Sequence, residues 1–182
     1  MMRVGGSVKL KGPIELDQVS IAGSLYVEGP LTIKEDLEIS GSVKITGHLK
    51  ANSIIISGSA SLKTVEAEHL SISGSLKAEE IKAREVIITG SLHSNIEADK
   101  VIISKNSKVH GHIKANNIIV KRDAEVEEIE ADEATIERDA EVSTLKCRKC
   151  SIGRNAWIGN LLYSESYEAH PQAEIDHIEK IK

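Results

Sequence analysis

Cys147-Arg-Lys-Cys150 is the first place to look for chemistry in this chain. Two cysteines at this spacing make half of a tetrahedral zinc site, or a dithiol that cycles with its disulfide. There is no second cysteine pair, and the seven histidines do not converge in the sequence. His93 and His110 come nearest to a pair and lack a third ligand in register; His48 and His112 lie far apart. No nucleophile–base pair, phosphate-binding glycine loop or carboxylate pair facing a cleft emerges. We therefore expect no catalytic residue, no cofactor and no metal, with Cys147 and Cys150 reduced and buried as small apolar side chains.

Whatever positions these residues has to be read from the hydrophobic pattern. Gly41 to Ser57, GSVKITGHLKANSIIIS, contains three short alternating runs: Val43-Lys-Ile45, Leu49-Lys-Ala51 and Ile54-Ile-Ile56. Each is a strand signal of period two, bounded by Gly, Ser or Asn. Three strands in so few residues are too dense for hairpins and right for one coil of a three-sided β-solenoid. The coil repeats. The last inward residue of the first strand runs Leu10, Val27, Ile45, Leu62, Ala78, Ser94, Val109, Val126, Val142, Ile158, in steps of 15 to 18. The second strand runs from Ile14 through Leu31 and Leu49 to Leu161, and the third from Ile21 through Ile39 and Ile56 to Ile152. About nine to ten coils at roughly 4.8 Å each make a rod some 45–50 Å long. The fold expected is all-β: residues 1–5 as a short lead, 6–163 as the rod, 164–182 as a tail. Pro171 and the Ile175/Ile178 pair predict a short helix in that tail, docked as a cap on the open C-terminal coil.

Composition agrees with a narrow interior. The chain has no Phe, one Trp and three Tyr, so Ile, Val, Leu and Ala must fill the core. The second strand pairs a large inward residue with a small one, as in Leu49/Ala51 and Ile113/Ala115, which lets a slim coil close. The corners carry Gly6, Gly23, Gly41, Gly58, Gly74 and Gly90 before Ser, read as bends where positive φ is cheap; from Lys105 onward Asn and Asp replace them. The net charge of -5 is spread along the chain, and no basic, aromatic-interleaved block points to nucleic acid. No stretch approaches the ~18 apolar residues of a membrane span, and the first residues do not form a signal peptide. A cytoplasmic location is expected, and the cysteine usage fits a reducing compartment.

Outward columns separate the faces. On the second face Lys50, Glu66, Lys82, Glu97, Lys114, Glu130 and Lys146 alternate in sign, a register device on a solvated surface. The third face turns Ile55, Ile87, Ile102 and Ile119 outward, either as exposed strand residues or as a lateral stripe for a protein or a membrane surface. Trp157 occupies an outward position that Lys44, Lys77 and Lys108 fill elsewhere, covered by the tail or by another subunit.

Coils of this length with GS[VL]K corners, GH[LI]KA and Ile-Ile-Ile third strands resemble the bactofilins across about residues 6–162. The resemblance implies a right-handed parallel β-helix that polymerises end to end, without nucleotide, into a cytoskeletal filament or scaffold. An aromatic end contact would fall to Trp157, Tyr163 or Tyr167. The residues lead to self-assembly independently. An open solenoid end exposes strand edges and the floor of its core. Val8, Leu10, Ile14, Leu16, Val19 and Ile21 form one such end, and Ile158 and Leu161, with Trp157, Tyr163 and Tyr167, the other. With the tail as a cap the product is a head-to-head dimer or an accessory binding rod. A hexapeptide-type acyltransferase or carbonic anhydrase needs eighteen-residue coils and an in-register histidine triad, which this repeat does not supply.

Overall fold

The computed structural model describes residues 1–182, and every regular element in it is a strand. β1 (Met2–Val4) leads into a first coil of β2 (Ser7–Lys11), β3 (Ile14–Leu16) and β4 (Val19–Ile21). The second coil is β5 (Ser24–Glu28), β6 (Leu31–Ile33) and β7 (Asp36–Ile39). The next two are β8 (Ser42–Ile45) with β9 (His48–Ile56), and β10 (Ser59–Ser61) with β11 (Thr64–Ile72). Thereafter one bent strand makes a whole coil: β12 (Ser75–Ile88), β13 (Ser91–Ile103), β14 (Lys108–Val120), β15 (Glu125–Ile136), β16 (Glu141–Ile152) and β17 (Trp157–Ala169). β18 (Glu174–Lys180) completes a parallel β-solenoid of about 11 turns. Each strand pairs in parallel with its equivalents one coil before and after.

The alternation expected from the sequence holds. Ile45, Ile72, Ile88 and Ile103 are buried, and Lys50, Lys82 and Glu97 between the inward positions are exposed. The inward residues form one continuous core along the rod. On the second face Leu49, Val65, Ile81, Ile96, Ile113, Ile129, Leu145 and Leu161 stack in register, and on the third Ile21 stacks through to Ile152.

The tail is not a helix. β17 continues through Ala169, and β18 lies parallel to its start, with Ile175 over Ile158 and Ile178 over Leu161. The three-residue spacing that resembles a helical face is the spacing of Val126/Ile129, Val142/Leu145 and Ile158/Leu161, inward residues on either side of one corner. An isolated helix of this length is marginal, whereas the open edge of β17 satisfies the backbone at once. At the other end β1 is also a ladder strand, with Met2 opposite Val19 and Val4 opposite Ile21.

The first face differs from its reading in one respect. Val109 lies opposite Leu92, not Ser94. β14 still begins opposite the start of β13, Lys108 facing Ser91, but Ser107, then Ala124, Ala140 and Ala156, now turn inward at the corner just before the strand and are fully buried. The number of inward residues per coil is kept while one inward position passes from the strand to the corner. Trp157 consequently follows Lys108, Glu125 and Glu141 in the outward column, and Lys44 and Lys77 belong to the neighbouring column.

The corner change has a physical cause. Asn106, Asp123, Asp139 and Asn155 adopt φ of 53–58°, the left-handed region that Asn and Asp tolerate. The glycines before Ser do not need positive φ. A Cβ on Gly58 would stand 2.1 Å from the carbonyl oxygen of Gly41. Glycine is required there because successive corners stack backbone on backbone.

Candidate assembly surfaces

The two ends of the ladder are built from the same elements as its middle, and they lack a neighbour. At the N-terminal end Val8, Leu10, Ile14 and Leu16 are half-buried, while Val19 and Ile21 lie fully buried beneath β1. One of three sides is thus covered, and β2 and β3 keep an outer edge with no partner strand. At the C-terminal end Ile158 and Leu161 are fully buried under β18, whose own Ile178 is 43% exposed. Tyr163 continues the inward column of Ala115, Ala131 and Cys147, and Tyr167 continues the column that ends in Ala134 and Cys150. A tyrosine has no room inside the coil. These two sit half-buried at its mouth in an edge-to-face pair with centroids 4.9 Å apart. Trp157 is half-buried with its ring lying over Gly159 of its own strand, where a Cβ would meet it at 3.2 Å.

The long faces carry different chemistry. On the second face Lys50 contacts Glu66, Lys82 lies 3.5 Å from Glu97, and Lys146 lies 3.1 Å from Glu130. The hydrogen bond from Lys50 holds the Glu66 carboxyl below its usual range. Glu85 beside Lys100, Glu137 beside Lys121 and Glu165 beside Arg148 are lowered by the same cause. Every one of these partners sits on an adjacent coil, so the pairs tie coil to coil. On the third face Ile55, Ile87, Ile102 and Ile119 share one outward column with Ser71 between the first two. Ile55 is 41% exposed and the other three are half-buried.

The residues that could do chemistry meet only in pairs. Cys147 and Cys150 are free thiols, 3% and 7% exposed, in inward positions of the ladder. The hydrogen bond between them, followed by burial, pushes the Cys150 thiol up and keeps it protonated. His93 and His110 stack at 4.7 Å between ring centroids. No group of three or more His, Cys, Asp or Glu side chains is arranged to hold a metal ion. No helix is long and apolar enough to cross a membrane.

One feature of the first face escapes the periodicity. Ser7, Ser24, Ser42, Ser59, Ser75 and Ser91 form an exposed ladder beside a second outward column containing Lys9, Tyr26, Lys44 and Lys77. The Gly-Ser repeat was its signal, hidden because each serine also reads as a corner residue.

No curated protein and no solved structure matches the chain. Residues 61–128, from β10 into β15 and across the corner change, match the family model Bactofilin, described as polymer-forming cytoskeletal. With the β-solenoid fold, that match makes the chain similar to the bactofilins and supports a structural, cytoskeletal role.

Proposed function

We propose that this chain is a cytoplasmic structural protein whose copies associate through their coil ends, without a nucleotide, into filaments or a scaffold. The observation that carries the reading is the open ladder at both ends. The N-terminal coil presents Val8, Leu10, Ile14 and Leu16 beside unpaired strand edges, and the C-terminal turn presents Ile175, Ile178, Tyr163 and Tyr167. Covering about 300 Å² of apolar surface at ~25 cal/mol per Å² gains roughly 7 kcal/mol. Backbone hydrogen bonds along the joined edges add to this, against an association cost of about 4–15 kcal/mol. These terms need no chemical energy source. β18 extends the ladder and leaves a new edge, which favours continued growth over a capped dimer.

Electron microscopy and sedimentation of two double variants test this. Leu10→Arg with Ile14→Arg places charge in the N-terminal face, and Ile175→Arg with Ile178→Arg does so at the other end. If like ends join, each variant stops at dimers; if unlike ends join, each stops at monomers. In both cases the coils stay folded by circular dichroism and filaments disappear. A wild-type chain that remains monomeric at every concentration, or filaments unaffected by both variants, refutes end-to-end assembly.

A further inference from the structure

The first face reverses its charge along the rod. Its N-terminal half carries Lys9, Lys44 and Lys77 on the first, third and fifth coils, in the column beside the serine ladder. Its C-terminal half carries Glu141 on the ninth coil, and Glu174 and Asp176 on the eleventh turn. All six are exposed and none has an ion-pair partner in the chain. That sets them apart from Lys50, Lys82 and Lys146 on the second face, each of which meets a glutamate on the adjacent coil. Between the halves lie Lys108, paired with Glu125, and His110, whose ring lies 3.8 Å from Glu127.

We infer that a second copy of this chain docks on this face, side by side and antiparallel. The complementarity admits that orientation and rejects the parallel one, which would set lysines against lysines and carboxylates against carboxylates. An antiparallel face-to-face pair has its two-fold axis along the strands, so each coil meets the coil equally far from the centre on its partner. Centred on the sixth coil, Lys9 meets Glu174 and Asp176, and Lys44 meets Glu141. The same centre sets Tyr26 on the second coil opposite Trp157 on the tenth, while Lys77 on the fifth faces the seventh, whose Lys108 is already paired with Glu125 on the eighth. By symmetry every contact occurs twice. The two outward columns stand two residues, about 6.6 Å, apart, within the reach of a lysine side chain. The face is roughly 13 Å wide and 50 Å long, or about 650 Å² on each partner. Its total of about 1,300 Å² lies at the lower end of stable interfaces, so affinity rests on charge and falls with salt.

Small-angle scattering distinguishes this from end-to-end assembly, because a side-by-side pair keeps a length of about 50 Å and an end-to-end pair reaches about 100 Å. In filaments the same pairing appears as doubled width in electron micrographs. We expect paired rods at about 20 mM salt and single rods at about 1 M. K9E/K44E, or separately E141K/D176K, lowers the pairing constant by about 100-fold or more at low salt. Mixing the two variants restores pairing, now between unlike chains. Two outcomes overturn the inference: pairing that survives either reversal, or no paired rods in the wild type at low salt. Loss of pairing in Ile87→Lys/Ile102→Lys with retention in K9E/K44E assigns the contact to the third face and overturns it as well. K44E and E141K alone separate the two modes, since Lys44 on β8 and Glu141 on β16 lie on inner coils, away from the end strands β2 and β18.

Discussion

Gly58→Ala is a one-methyl perturbation whose consequence follows from the stacking of corners. The new Cβ would stand 2.1 Å from the carbonyl oxygen of Gly41 and 2.6 Å from that of Ser40. Relief to an ordinary contact of about 3.2 Å means a local separation of roughly 1 Å, a fifth of the ~4.8 Å coil spacing. Two backbone hydrogen bonds cross this gap, from Gly58 N to Ile39 O at 3.1 Å and from Ser59 N to Gly41 O at 3.0 Å. Losing them costs about 1 kcal/mol each. Loosened packing of Ala60 against Val43 adds about another, for a total near 3 kcal/mol. At roughly 2–4 °C per kcal/mol for a chain of this size, the melting temperature falls by about 6–12 °C. A solenoid unfolds by segments, so the sharper assay is hydrogen exchange. Amides around Ser57–Ser61 should exchange about 100-fold faster, with distant coils little changed. Gly6→Ala is the control, since nothing lies within 4 Å of a Cβ at Gly6, and it should leave the dissociated chain unaltered. A Gly58→Ala protein that melts within 2 °C of wild type, with unchanged exchange at this corner, refutes the claim that backbone proximity dictates glycine there.

Acid should loosen the stack through its carboxylates. Glu66, Glu85, Glu137 and Glu165 are held below their usual range by Lys50, Lys100, Lys121 and Arg148. Their folded values lie below the unfolded ones, so their stabilisation is present above the ordinary carboxylate range near pH ~4.3 and is lost as pH falls through the folded values. Melting temperature measured from pH 6 to pH 3 should fall, and about 1 M salt should flatten the slope; an acid-insensitive melt in low salt contradicts this. Cys147 and Cys150 should resist a thiol reagent at pH 8 in the folded chain and react fully once it is unfolded in guanidinium. Rapid native labelling, or stoichiometric zinc that resists removal without unfolding, would show that core packing is not their role.

The repeat was legible because each coil must solve the same burial problem. Period-two alternation with Ile, Leu and Val inward exposed the three faces, and a coil step of 15 to 18 residues exposed their stacking. The positions of Ile45, Ile88 and Leu145 in the core, of the alternating charges on the second face, and of the isoleucines on the third all follow from that pattern. Asn and Asp at the later corners were equally readable, since their tolerance of the left-handed region is local. Three features required the folded chain. The corner glycines look like any turn glycine until the preceding coil is placed 4.8 Å away and its carbonyl oxygen occupies the space of a Cβ. The shift of the first face at Val109 is invisible in spacing, because an inward position can pass from the strand to the corner before it without changing how many residues point inward in a coil. Ile175 and Ile178 fit a helix or a last coil equally well by themselves, and the edge of β17 decides between them by offering partners for the backbone. Local pattern determines which side chain faces in. The neighbouring coil determines where the backbone can go, and only the tertiary structure supplies that neighbour.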